Sequence, residues 1–197
     1  MNKSQGPVYR VLVASDIFGA TKAFDELAHQ IAQDPIILSP YTDLPLEFKN
    51  EAEAYEYFCQ HTSVNEYAMK IYNQISAFKG VLVVIGFSVG ASALWKCLSE
   101  HADSPVLAFY GFYGSQIRHM LPATPTVPTY WYSARQENHF NVSEINTQLD
   151  QVEHVEVDVT PYLHGFMNRH SQHFDAIGYA HYLKQIRASM NTSLVCN

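Results

Sequence analysis

Positive charge is scarce in this chain. Only 12 Lys and Arg stand against 19 Asp and Glu, for a formal net charge of −7. Nucleic acid and anionic membranes both require clustered Lys and Arg, so neither is expected as a partner. Cysteine is scarce too. The three residues Cys59, Cys97 and Cys196 are far apart and odd in number. They form neither a disulfide framework nor a zinc-type spacing. No apolar run approaches the length of a membrane span. The opening stretch MNKSQGPVYRVLVAS lacks an apolar core of signal-peptide length, so a cytoplasmic protein is expected. Internal repeats, low-complexity segments and a domain-splitting linker are absent, and one domain over residues 1–197 is expected. The sequence carries no signal for an oligomeric state.

What is present is apolar and periodic. Hydrophobic residues make up 47% of the chain and charged residues 16%, enough to bury a core and to exclude disorder. Six short β-type runs stand out: Val8–Ala14, Ile36–Ser39, Val81–Ile85, Val106–Tyr110, Thr129–Ser133 and His154–Val159. Several are continuously apolar, which fits strands covered on both faces. Helical patterns fall between most of them: Thr21–Gln33, Asn50–Phe78 (one broken helix or two), Ser88–His101, Val142–Leu149 and Gln172–Met190. Strands alternating with helices predict a three-layer α/β fold, with a mostly parallel six-stranded sheet and helices on both faces.

The third run feeds into Gly86-Phe87-Ser88-Val89-Gly90 and then the small-residue helix start Ala91-Ser92-Ala93. In G-x-S-x-G the serine occupies a strained strand-to-helix turn and the glycines give it room. Its hydroxyl points above the sheet at the positive end of the helix. Ser88 is therefore the candidate nucleophile. The partners should follow in the order acid, then histidine. The last strand runs into Thr160-Pro161-Tyr162-Leu163-His164-Gly165-Phe166, and His164 is the candidate base, taking the serine proton and returning it to the leaving group.

Four stretches in order, DIFG at 16–19, GFSVGAS at 86–92, FYG at 109–111 and HGFMNR at 164–169, resemble the dienelactone hydrolase family. This is a branch of the α/β-hydrolases with little or no cap. The likeness runs over roughly residues 8–190. It implies cleavage of a small ester or lactone through an acyl-enzyme, without a metal. It also implies an oxyanion hole from the backbone N–H groups of Val89 and Ile17, a device worth several kcal/mol, roughly 3–4 for one donor. The namesake enzymes carry a cysteine nucleophile. Ser88 makes this chain a serine variant, more dependent on its base and orienting acid.

The acid should lie in Ala134-Arg135-Gln136-Glu137-Asn138-His139-Phe140. The family pattern resembles D-H-F, and aligning on His139-Phe140 puts Asn138 at the acid position. Asn can fix the histidine tautomer but cannot stabilise an imidazolium by charge. Glu137, one residue earlier and longer, is the alternative, and Asp158 on the last strand is held in reserve. The resemblance also places Asp16 near the nucleophile, and a cap on the helix beginning near Thr21 is its other role. It suggests Arg169, or else Arg118 or Arg135, as a holder for a substrate carboxylate. Aromatic residues at strand ends, namely Phe18, Tyr41, Tyr110, Phe112, Tyr113, Phe140 and Phe166, are expected to line the pocket, because ligands bind at the carboxyl ends of parallel strands. Two other functions share these features. One is a non-catalytic relative, suggested by Asn138. The other is a thioesterase or acyl esterase on the same fold.

Overall fold

The computed structural model describes residues 9–42 and 46–193. Val8 and Cys196 lie outside the described residues. Six strands are present: β1 Tyr9–Ala14, β2 Ile36–Leu38, β3 Val81–Phe87, β4 Val106–Phe112, β5 Thr129–Ser133 and β6 Val155–Val159. They form one sheet in the order β2-β1-β3-β4-β5-β6, and every pairing is parallel. The sheet is thus wholly parallel rather than mostly so. The order reverses between β1 and β3, where ligands gather in open α/β sheets.

Alternation along β1 explains the layers. Val11 and Val13 face one side, against Phe24, Leu27 and Ile31 of α1 (Lys22–Ile31) and Ile186 of the C-terminal helix. Leu12 and Ala14 face the other, against Tyr67 and Ile71 of α3 (Val64–Ala77) and Leu94 of α4 (Val89–Glu100). A strand buried on both faces cannot alternate polar with apolar, hence the continuous runs read in the sequence.

The long segment 50–78 is two helices, α2 (Glu51–His61) and α3, each with its own cap. Asn50 accepts from Glu53 N at 3.0 Å and Ser63 accepts from Glu66 N at 3.2 Å. The helix α5 spans Val142–Leu149 as expected, and α6 runs Ala176–Ser193. It starts later than Gln172 because Asp175 caps it, accepting from Gly178 N at 2.8 Å. Between β4 and β5 the only helical turn is a 3₁₀ turn at Ser115–His119, so no large lid arises there. Among the described residues no helix is long and apolar enough to cross a membrane.

Candidate active site

Ser88 links β3 to α4 with φ 51° and ψ −115°, a conformation costly for any residue with a Cβ. The turn is held by Ser88 N donating to Phe112 O at 2.9 Å, which ties it to the end of β4. Both glycines are required by close approach. A Cβ at Gly86 would stand 2.7 Å from Ala91 Cα, and one at Gly90 would stand 2.4 Å from Ser15 O. The elbow can therefore form only with bare backbone on each side of the serine.

His164 reaches the elbow from the loop after β6. Ser88 Oγ lies 2.9 Å from His164 Nε2, and His164 Nδ1 lies 2.7 Å from Glu137 Oε1. An ionised carboxylate only accepts, so Nδ1 carries the proton and Nε2 accepts from the serine hydroxyl. The Tyr113 ring packs 4.9 Å from the imidazole at φ 40°, and His173 Nδ1 lies 3.1 Å from the His164 carbonyl oxygen. His164 is thus fixed at its ring and at its backbone.

The structure brings Ser88, His164 and Glu137 into one hydrogen-bonded chain. Of the two residues left open for the acid position, Glu137 makes the contact. Asn138 lines the same cleft, but no hydrogen bond joins it to His164. Asp158 is elsewhere and accepts from Tyr182 OH at 3.2 Å. Ile17 and Val89 both line the cleft, of about 370 Å³, beside Ser88. Val89 opens α4, where an N–H has no carbonyl partner one turn back within its helix. Ile17 is anchored through its carbonyl, which accepts from Tyr41 OH at 2.6 Å.

Asp16 borders the cleft but is occupied by the protein. Phe18 N donates to its Oδ1 at 3.0 Å, and Asn168 Nδ2 donates to its Oδ2. Burial pushes its carboxyl above the usual carboxylate range, and these two bonds pull it partly back. Phe18 lines the cleft and stacks on His170, with ring centroids 5.7 Å apart.

Five residues expected at the pocket lie elsewhere. Tyr110 is fully buried in the α1–α6 layer, with its hydroxyl 3.0 Å from Ser189 Oγ. Phe166 is fully buried against Tyr162 and Tyr182. Arg169 turns away to Glu26 at 2.7 Å and to the Tyr179 ring. Phe112 is likewise core, and Tyr41 supports the Ile17 loop from beneath. Arg118, which was one of the alternatives to Arg169, does line the cleft, above the Phe140 ring. The sequence reading overlooked Glu51, Tyr55 and Gln116, which line the cleft, and Asn168, Ser171 and His173, which build the base loop. The run Asn168-x-His170-Ser171-x-His173 carried a legible signal, since each polar side chain accepts from an N–H two residues on. Among the described residues no cluster of His, Cys, Asp or Glu could hold a metal ion.

The architecture and the elbow define the chain as an α/β-hydrolase-fold protein, in the form found in dienelactone hydrolase-like proteins. A dienelactone hydrolase-like promiscuous phosphotriesterase from metagenomic libraries superposes with a TM-score of 0.72 at 15% identity, covering 97% of this chain and 88% of that one. Mouse alpha/beta hydrolase domain-containing protein 10 gives 0.65 at 11%, covering 98% of each chain. Est1E from Butyrivibrio proteoclasticus, solved with ferulic acid bound, gives 0.62 at 8%, covering 98% and 92%. No family model matches the sequence. The chain belongs to the same family as the uncharacterized protein YczH of Bacillus subtilis (strain 168), with 30% identity over 172 residues and 84% of each chain covered.

Proposed function

We propose that this protein is a serine hydrolase that cleaves a small ester or lactone through an acyl-enzyme. The observation that carries this reading is the unbroken chain from Ser88 Oγ through His164, with contacts of 2.9 and 2.7 Å, to Glu137. Ser88 attacks the carbonyl carbon as His164 Nε2 takes its proton. Glu137 steadies the imidazolium so formed. The backbone N–H groups of Val89 and Ile17 receive the developing oxyanion. His164 then returns the proton to the departing alkoxide, and water repeats the sequence to free the acid. A cleft of about 370 Å³ suits small substrates. The named functions of the solved neighbours, a phosphotriesterase and hydrolases, are compatible with an activated serine.

The non-catalytic reading rested on Asn138 at the acid position. The contact between Glu137 and His164 favours the catalytic reading over it. Thioesters fall within the same chemistry, so substrate profiling separates them from oxygen esters. The test is hydrolysis of p-nitrophenyl acetate by the wild type beside Ser88→Ala, with fluorophosphonate labelling in parallel. Turnover and labelling should both vanish in Ser88→Ala. A folded wild type that shows neither overturns the reading.

A further inference from the structure

Asp16 is a buried carboxylate, 5% exposed, and no Lys, Arg or His pairs with it among the described residues. Its position is unusual for what it joins. Oδ1 accepts from Phe18 N at 3.0 Å, and this closes the turn that carries Ile17. Oδ2 accepts from Asn168 Nδ2 at 2.5 Å across 152 residues of sequence. Asn168 cannot rotate freely, because its own Oδ1 accepts from His170 N at 2.8 Å. Its backbone N–H also donates to Gly165 O at 2.9 Å, next to His164. One buried side chain therefore fastens the loop after β1 to the loop after β6.

We infer that Asp16 and Asn168 are a positioning pair, which sets the distance between the Ile17 N–H and the His164 ring. The inference rests on the hydrolase reading above. Each carboxylate oxygen holds one protein donor, Phe18 N and Asn168 Nδ2, so the side chain is fixed in place as a tie between the two loops. It acts through Ile17 and His164. Two loops from opposite ends of the chain must meet around one reacting carbonyl. The pair is the direct polar tie between them, and a misplacement of about 1 Å at such a site costs on the order of 100-fold in rate.

The hydrogen bond has a direction, which makes the pair testable by reversal. In Asp16→Asn the carbonyl end stays on Phe18 N, and the new amide meets the Asn168 amide, donor against donor. Asn168→Leu removes the donor altogether. In Asp16→Asn/Asn168→Asp the new amide donates to the new carboxylate, whose other oxygen still accepts from His170 N. With p-nitrophenyl acetate, each single variant should lose about tenfold or more in kcat with KM held within about threefold, and the reversed pair should recover to within about threefold of wild type. A purely structural tie would lower Tm without this split between kcat and KM. Turnover unchanged in folded Asp16→Asn or Asn168→Leu overturns the pair, and so does a loss confined to KM. A reversed pair that folds yet stays as slow as the single variants overturns it too. A wild type with no Ser88-dependent turnover overturns the hydrolase reading as well, whereas normal wild-type turnover left intact by the single variants overturns the pair alone.

Discussion

Glu137→Gln isolates charge from geometry at the base. The carboxylate lies 2.7 Å from His164 Nδ1, with the two side chains 13% and 29% exposed. Glutamine keeps the shape of the side chain and loses the negative charge, and its amide NH2 can also turn to Nδ1 and favour the other tautomer. Opposite unit charges about 4 Å apart in a partly buried setting interact by about 4 kcal/mol at an effective dielectric constant of about 20. On the proposed mechanism this attraction acts on the imidazolium that His164 becomes as it takes the serine proton. The loss therefore falls on kcat, by about 10³-fold, with KM nearly unchanged. A similar exchange in a well-studied serine protease drops turnover about 10⁴-fold because the amide favours the wrong tautomer, so the figure of about 10³-fold from charge alone is a lower bound. The assay is p-nitrophenyl acetate hydrolysis under saturating and sub-saturating conditions, with Tm measured beside it. Folded Glu137→Gln turning over within about threefold of wild type would refute the assignment of Glu137 as the acid.

Asn138→Ala should stay within about twofold of wild type in kcat, because Asn138 has no bond to His164; a drop matching that of Glu137→Gln would move the acid role to it. Ser88→Gly should abolish turnover yet leave Tm within about 4 °C of wild type, because relief of about 1–3 kcal/mol of backbone strain at φ 51° offsets about 1 kcal/mol of added chain entropy and about 1 kcal/mol for the lost hydrogen bond to His164, at roughly 2–4 °C per kcal/mol for this size; a fall of more than about 4 °C would show an unstrained elbow. Burial pushes the Cys97 thiol up to about 12, so at pH 8 about one molecule in 10⁴ carries the thiolate, whereas Cys59 is exposed. In a Cys196→Ser background, a disulfide reagent at pH 8 should titrate one thiol in the native protein and two after unfolding. Two fast native equivalents would contradict the burial of Cys97.

The site was legible in the sequence where its logic is local. Ser88 stands out because the elbow demands glycine at 86 and 90, and the structure has no space for a Cβ at either. His164 stands out because a base must follow the last strand. The helix break within 50–78 was also local, marked by Ser63 three residues before Glu66, although the sequence reading left it open. The late start of α6 was missed because a helical pattern does not reveal which polar residue, here Asp175, takes the cap.

The order of strands and helices, the buried parallel sheet, the elbow and the histidine loop follow from the sequence itself. They depend on apolar runs, on glycine at fixed offsets and on chain order. Which residue meets His164 Nδ1 does not, since Glu137 and Asn138 are adjacent and only the approach of the β6 loop brings one of them there. Nor does the lining of the cleft. Tyr110 and Phe166 look like pocket aromatics in the sequence, and the tertiary structure gives both to the core because α6 packs over that face of the sheet. Arg169 looks like an anion holder until Glu26, 143 residues away, neutralises it. The bond of Asp16 to Asn168, 152 residues away, is likewise invisible in the sequence. Each of these outcomes depends on which distant groups arrive within hydrogen-bond or packing distance, and that is decided by the docking of elements rather than by any local pattern.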